Sequence, residues 1–197
     1  MATDRPDLCG IVLAAGAGRR RGTPKALVTG PGGPWLALAT TLLLEGGCGR
    51  VVVVLGASAQ EALTLVPVDD RVTSVQAHGW AAGMGESLRT GLGHASGVAA
   101  VVTLVDLPGT PVDVVRRVLG TGAAADGDTR RDDVGGGTLR QAVYGGRPGH
   151  PVVIGRDHWA ALRDELAGDG GARDYLVRRG VATVECGDLH HGRDSDT

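Results

Sequence analysis

The chain has 197 residues, of which 42% are hydrophobic, enough for one domain with a sizeable core. Phenylalanine is absent and aromatics make up 3%, so Val, Leu and Ala must build that core. A net charge of −2 argues against a general nucleic-acid-binding face. No apolar run approaches the roughly 20 residues of a membrane span, which argues against a membrane partner. Cys9, Cys48 and Cys186 lie far apart without metal-site spacing and read as reduced thiols. Met1–Asp7 is polar and the apolar run after it is short, so no leader is expected and the protein is assigned to the cytoplasm.

Gly10–Ala15 is a continuous apolar run bounded by glycine, the pattern of a strand buried on both faces. A glycine-rich loop follows, then a Pro31-Gly-Gly-Pro34 turn in which Pro34 can open a helix over Trp35–Glu45, stopped by Gly46-Gly47. Arg50–Leu55 reads as a second buried strand. Ser58 reads as the N-cap of a helix over Gln60–Val66, and Arg71–Ala77 as a weaker strand. His78–Gly85 is a loop before a helix over Glu86–His94. Ala99–Val105 is the third strongly apolar run, and Pro111 opens a helix to Leu119. Gly120–Gly137 has no periodicity and reads as an exposed, mobile insertion. Leu139–Tyr144 and Pro151–Ile154 are strands around a Gly145–His150 loop. Helices over Asp157–Leu166 and Gly170–Arg179 and a last strand over Val181–Cys186 precede a polar tail. Strands alternating with helices predict an α/β domain with a mainly parallel sheet and right-handed crossovers.

Chemistry gathers first in Leu13-Ala-Ala-Gly-Ala-Gly-Arg-Arg-Arg-Gly-Thr-Pro-Lys25, where Gly16, Gly18 and Gly22 alternate with four cations. Glycines bring backbone N–H groups close to a ligand, and arginine and lysine add positive charge, so the loop suits a polyphosphate. The alternative is a glycine turn with solvated arginines. Neither the Rossmann GxGxxG spacing nor the Walker A GxxxxGK[ST] pattern fits, and the nearest acid, Glu45, ends a helix rather than a second strand. That weighs against a dinucleotide-dependent oxidoreductase. Asp106 follows the third apolar run and precedes Leu107-Pro108. At the carboxyl end of a parallel strand it can supply one oxygen to Mg²⁺, or it can be a turn or N-cap aspartate. His150, in Gly149-His-Pro151, and the Asp194-Ser-Asp196 pair carry little by themselves.

Together these blocks resemble the MobA-like nucleotidyltransferases, and most of all the molybdenum cofactor cytidylyltransferases. Leu13–Lys25 is similar to the LAAGxGxRMGxPK signature. Gly83-Met84, Ser87-Leu88 and Gly91 match GM-x-x-SL-x-x-G, and Asp106 and Pro108 match the metal-binding DxP. Gly149-His-Pro-Val152, Gly168-Asp-x-Gly-Ala-Arg173 and Asp194-Ser-Asp-Thr197 match later blocks in the same order. Arg21 stands where relatives usually have Met, and Leu107 where a polar residue is common.

The resemblance implies a single three-layer α/β/α domain with a mixed, mainly parallel sheet and a Rossmann-like N-terminal half, of the nucleotide-diphospho-sugar transferase type. The nucleotide-binding half would span about 8–110 and the acceptor half about 111–197. It implies CTP held by Leu13, Ala14, Ala15, Gly16, Gly18, Gly22, Lys25, Gly83 and Ser87. Arg20 would contact the β/γ oxygens and Lys25 the α-phosphate. Mg²⁺, or Mn²⁺ in its place, would be held by Asp106 and Asp196. Gly149, His150 and Arg173 would line the acceptor side, with Arg173 or Arg147 on the acceptor's phosphate. The implied acceptor is molybdopterin, with a molybdenum enzyme receiving the product. A GTP-using guanylyltransferase, a sugar-1-phosphate acceptor and a non-catalytic cofactor-binding accessory protein are the rivals.

Overall fold

The computed structural model describes residues 7–18, 22–121 and 133–193. Its centre is β1 (Leu8–Ala14), buried along its whole length, as the apolar run requires. The Gly18–Gly22 loop leads to a short hairpin, β2 (Thr29–Gly30) and β3 (Gly33–Pro34), and then to α1 (Trp35–Gly46). Gly47, with φ 118°, caps α1 in the left-handed region that glycine adopts freely. Next come β4 (Arg50–Leu55), α2 (Ala59–Leu63), β5 (Val72–Gln76), α3 (Met84–His94), β6 (Ala99–Leu104) and α4 (Val112–Val118). The second half adds β7 (Leu139–Tyr144), β8 (Arg147–Gly155), α5 (Trp159–Glu165), α6 (Arg173–Arg178) and β9 (Ala182–Glu185).

Among the described residues seven strands form one sheet in the order β5-β4-β1-β6-β8-β7-β9. β1 pairs in parallel with both β4 and β6, and β8 runs antiparallel between β6 and β7. α1 and α4 cover one face, and α3, α5 and α6 the other, each over its own apolar cluster. This is the expected three-layer α/β/α arrangement. The cysteines are unpaired, as expected, and all three are buried.

Glycine sets how closely the layers approach. A Cβ on Gly91 of α3 would lie 2.8 Å from Ile11 Cγ2, and one on Gly46 of α1 would lie 2.4 Å from Val115 Cγ1. Gly91→Val is therefore expected to cost about 1–3 kcal/mol by overpacking α3 against β1. Thermal denaturation should show a fall of roughly 2–4 °C in Tm for each kcal/mol.

Several local expectations are corrected. Ser58 does not cap α2 with its side chain; it sits at φ 53°, in the left-handed region, and α2 is only five residues long. Pro34 and Pro111 precede their helices in extended conformation instead of occupying the first turn. The expected Gly145–His150 loop shrinks to Gly145-Gly146, both at positive φ, because two such residues suffice for a type I′ hairpin. β8 therefore begins at Arg147. Residues 122–132 of the expected insertion lie outside the described residues. Its end is only partly exposed: Asp133 and Gly137 are exposed but Val134 is buried, and the Gly136 and Thr138 carbonyls accept from Asp157 N and Gly155 N at 3.0 and 2.7 Å.

Candidate active site

The register of the sheet decides which residues meet. Leu13 of β1 pairs with Val54 of β4 and Leu104 of β6, so the three strands end level. The chain leaves β1 towards β4 on one side, while β6 lies on the other. The crevice between β1 and β6 is therefore a topological switch point, where open α/β sheets bind ligands. The glycine loop emerges there from β1 and Asp106 from the end of β6. β8 is antiparallel, with Val152 opposite Val102, so its first residues, Arg147–His150, reach the same edge. One reversed strand thus carries His150 to the carboxyl ends of the parallel ones.

Two adjoining cavities occupy this edge. The first, of about 230 Å³, is lined by Leu13, Ala14, Ala15, Gly16, Gly18, Lys25, Gly83, Ser87 and Asp106, all named from the sequence. Trp80 and Met84 also line it; the pattern had put both in a loop ahead of the helix. Gly18 is at φ 60°, and a Cβ there would fall 1.9 Å from the Thr23 carbonyl oxygen, so only glycine fits. Gly22 does not line the cavity. Its N–H donates to Gly18 O at 2.9 Å and closes the loop instead of facing a ligand. Arg20, like Arg19 and Arg21, lies outside the described residues, and so does Asp196.

Lys25 Nζ donates to Asp106 Oδ2 at 2.5 Å, with side-chain exposures of 23% and 11%. Asp106 Oδ1 is buried and has no hydrogen-bond partner among the described residues. A buried carboxylate oxygen without a partner is costly unless a ligand completes it. Among the described residues no three His, Cys, Asp or Glu side chains come together to hold a metal. The donor set is thus one carboxylate beside a polyphosphate-sized cradle, which fits Mg²⁺ or Mn²⁺ bound largely through substrate phosphates.

The second cavity, of about 350 Å³, shares Leu13 and Met84 with the first. Gly149, His150 and Arg173 line it, and so does Gln141 of β7, which the sequence reading did not name. Arg147 is exposed at the hairpin and is not among the lining residues. Burial pushes the His150 imidazole down to about 4, opposed by the charge of Asp106, so the ring is neutral at pH 7. An unfolded histidine, near 6.5, binds its proton more readily. Stability held by the neutral ring is therefore complete above about pH 6.5 and lost as pH falls towards 4. His150→Gln is expected to flatten this acid limb of a denaturant-unfolding series, by on the order of 2–3 kcal/mol at most.

The model of the MobA-like NTP transferase domain matches residues 10–184. The chain belongs to the MobA-like NTP transferase family. As a family member it is a nucleotidyltransferase, and its relatives bear on both fold and chemistry. The nicotine blue oxidoreductase of Paenarthrobacter nicotinovorans is 35% identical over 99% of this chain and 95% of its own length. A Mycobacterium sp. strain JC1 homologue of M. tuberculosis Rv0371c is 27% identical with a TM-score of 0.74, over 98% of this chain and 92% of that one. A nucleotidyl transferase from Methanothermobacter, Mth528, has a TM-score of 0.71 at 22% identity, over 96% and 91% of the two chains, which speaks for the fold alone. The family's nucleotide-diphospho-sugar transferase fold is the arrangement described above.

In this MobA-like domain no helix among the described residues is long and apolar enough to cross a membrane.

Proposed function

We propose that this protein transfers CMP from CTP to the phosphate of a molybdopterin-type phosphomonoester and releases pyrophosphate. One observation carries the reading: the glycine cradle with its Lys25–Asp106 pair adjoins an apolar cavity that has Arg173 at its edge. Backbone N–H groups of the Gly16–Gly18 turn would hold the triphosphate, Lys25 the α-phosphate and Arg20 the leaving β/γ oxygens. Asp106 and Asp196 would hold Mg²⁺, which neutralises charge on the phosphates when bound. The acceptor phosphate, with a second pKa of about 6, is largely a dianion at neutral pH and needs no strong base. The barrier is repulsion between two polyanions, and this chain supplies cations and oriented N–H groups against it.

Arg173 is exposed at the second cavity and forms no ion pair among the described residues, which suits a guanidinium kept for the acceptor's anionic group. Arg173→Ala is expected to raise the acceptor's KM about tenfold and to leave the KM for CTP alone. A cytoplasmic setting belongs to this reading, supported by three unpaired cysteines.

The deciding experiment is pyrophosphate release from each of the four nucleoside triphosphates, with Mg²⁺ or Mn²⁺, with and without molybdopterin. Release with CTP and acceptor supports the reading; release with GTP alone replaces it by guanylyl transfer; binding without release points to an accessory protein.

The name of the Paenarthrobacter relative favours a second reading, oxidoreduction with a dinucleotide in the same cradle. The absence of a ribose-binding acid at the end of β4, which closes with Leu55, weighs against it. Oxidation of NADH or NADPH with a dye acceptor, and no pyrophosphate release, would establish it.

A further inference from the structure

The second cavity is built unlike a sugar site. Leu88 of α3, Val102 of β6, Val152 and Ile154 of β8 and Leu176 of α6 form apolar walls. Two polar side chains reach it from the sheet, Gln141 and His150. Two nearby backbone acceptors are already engaged. Gly149 O accepts from Gln141 Nε2 at 3.2 Å, and His150 O accepts from the Tyr144 hydroxyl at 2.6 Å. The first of these bonds fixes the carboxamide. A carbonyl can only accept, so the amide end facing Gly149 is the NH₂, and Oε1 is left as an acceptor. A sugar presents hydroxyls around its whole rim, and most would be stripped of water here without a partner. A flat ring between the apolar walls loses little, provided that one edge carries an N–H.

We infer that Gln141 is a specificity-determining residue: its Oε1 accepts from a ring N–H of an uncharged planar nitrogen heterocycle held between Leu88, Ile154 and Leu176, with His150 beside it and the ligand's anionic group at Arg173. The inference rests on the acceptor cavity of the proposed function and narrows it. Acceptors with a cyclic amide edge are selected, and sugar phosphates are rejected. Sites that hydrogen-bond a substrate N–H discriminate strongly against analogues lacking it, because the buried acceptor is then left unpaired.

The test is equilibrium binding of pterin-6-carboxylate, followed by its fluorescence, to the full chain. Three results are expected. Glucose 1-phosphate does not compete. An analogue methylated on the ring amide nitrogen binds about tenfold more weakly. Gln141→Leu binds the parent probe about tenfold more weakly but treats parent and methylated probes alike. CTP affinity, measured in parallel, reports folding of the variant, and Gln141→Met stands in if Gln141→Leu does not fold. Equal competition by glucose 1-phosphate, or an undiminished methyl penalty in the variant, overturns the inference. The binding assay does not depend on turnover. If pyrophosphate release fails while Gln141-dependent binding holds, the transfer reading falls and this one stands; the opposite pattern removes only the role of Gln141.

Discussion

Asp106→Asn is expected to lower kcat by about 10³-fold or more, with a smaller change in the KM for CTP, in a pyrophosphate-release assay. The substitution keeps size and shape but removes a full negative charge from the end of β6. Asp106 is the one described carboxylate among the side chains lining the first cavity. Its Oδ1 is buried without a partner among the described residues, so none of them replaces what it holds. Loss of a charge interaction made chiefly in the transition state costs several kcal/mol, and each 1.36 kcal/mol is tenfold in rate. A second readout separates metal binding from packing. Mg²⁺ with CTP should raise the Tm of the wild-type chain, because a ligand that binds only the native state stabilises it. The Asn variant should lose most of that increment. A near-normal rate for Asp106→Asn would remove the assignment of a metal to this carboxylate.

How much of this could be read from the residues depended on whether a signal was local. β1, β4 and β6 announced themselves as strongly apolar runs, and the crevice followed from their order. The glycine loop and Asp106 were legible because each sits directly at the end of such a run. Gln141 was not. Strand β7 alternates without marking which face meets a ligand, and the residue acquires its role only through β8 and the carbonyl of Gly149. The start of α3 was also less legible: it begins at Met84, two residues ahead of the expected Glu86, and a 3₁₀ turn over Trp80–Ala82 precedes it. The Gly145-Gly146 turn carried a recognisable hairpin signal, but the loop was read on through Pro148 to His150, with the next strand opening at Pro151. The sheet accommodates both prolines in β8, where the register shifts between Gln141 and Val143 of its partner. Ser58 shows the limit of cap propensity, since a left-handed backbone places its hydroxyl where no side-chain cap bond forms.

Lys25→Met should lower kcat by about 10²–10³-fold, the range seen when one preorganised donor to a developing charge is removed. The argument begins with position. Lys25 opens a short 3₁₀ turn behind Pro24, and the Gly18–Gly22 bond folds the loop so that its ammonium reaches across to Asp106. An ammonium here faces the cavity in which the α-phosphate would lie, and it can move from carboxylate to phosphate with little change of backbone. The same pair makes a stability prediction of opposite metal dependence to that of Asp106→Asn. Without Lys25 the carboxylate keeps its charge with neither oxygen partnered by this ammonium, which destabilises the chain. Divalent cation alone should then restore more stability to Lys25→Met than to wild type, because the ion takes up the charge that the ammonium had balanced. The double variant Lys25→Met/Asp106→Asn should lose little more rate than the worse single variant, since both act on one charge cluster. Additive losses in the double variant, or a Tm in Lys25→Met that ignores Mg²⁺ and Mn²⁺, would show that the two side chains act independently and that their contact is merely a surface ion pair.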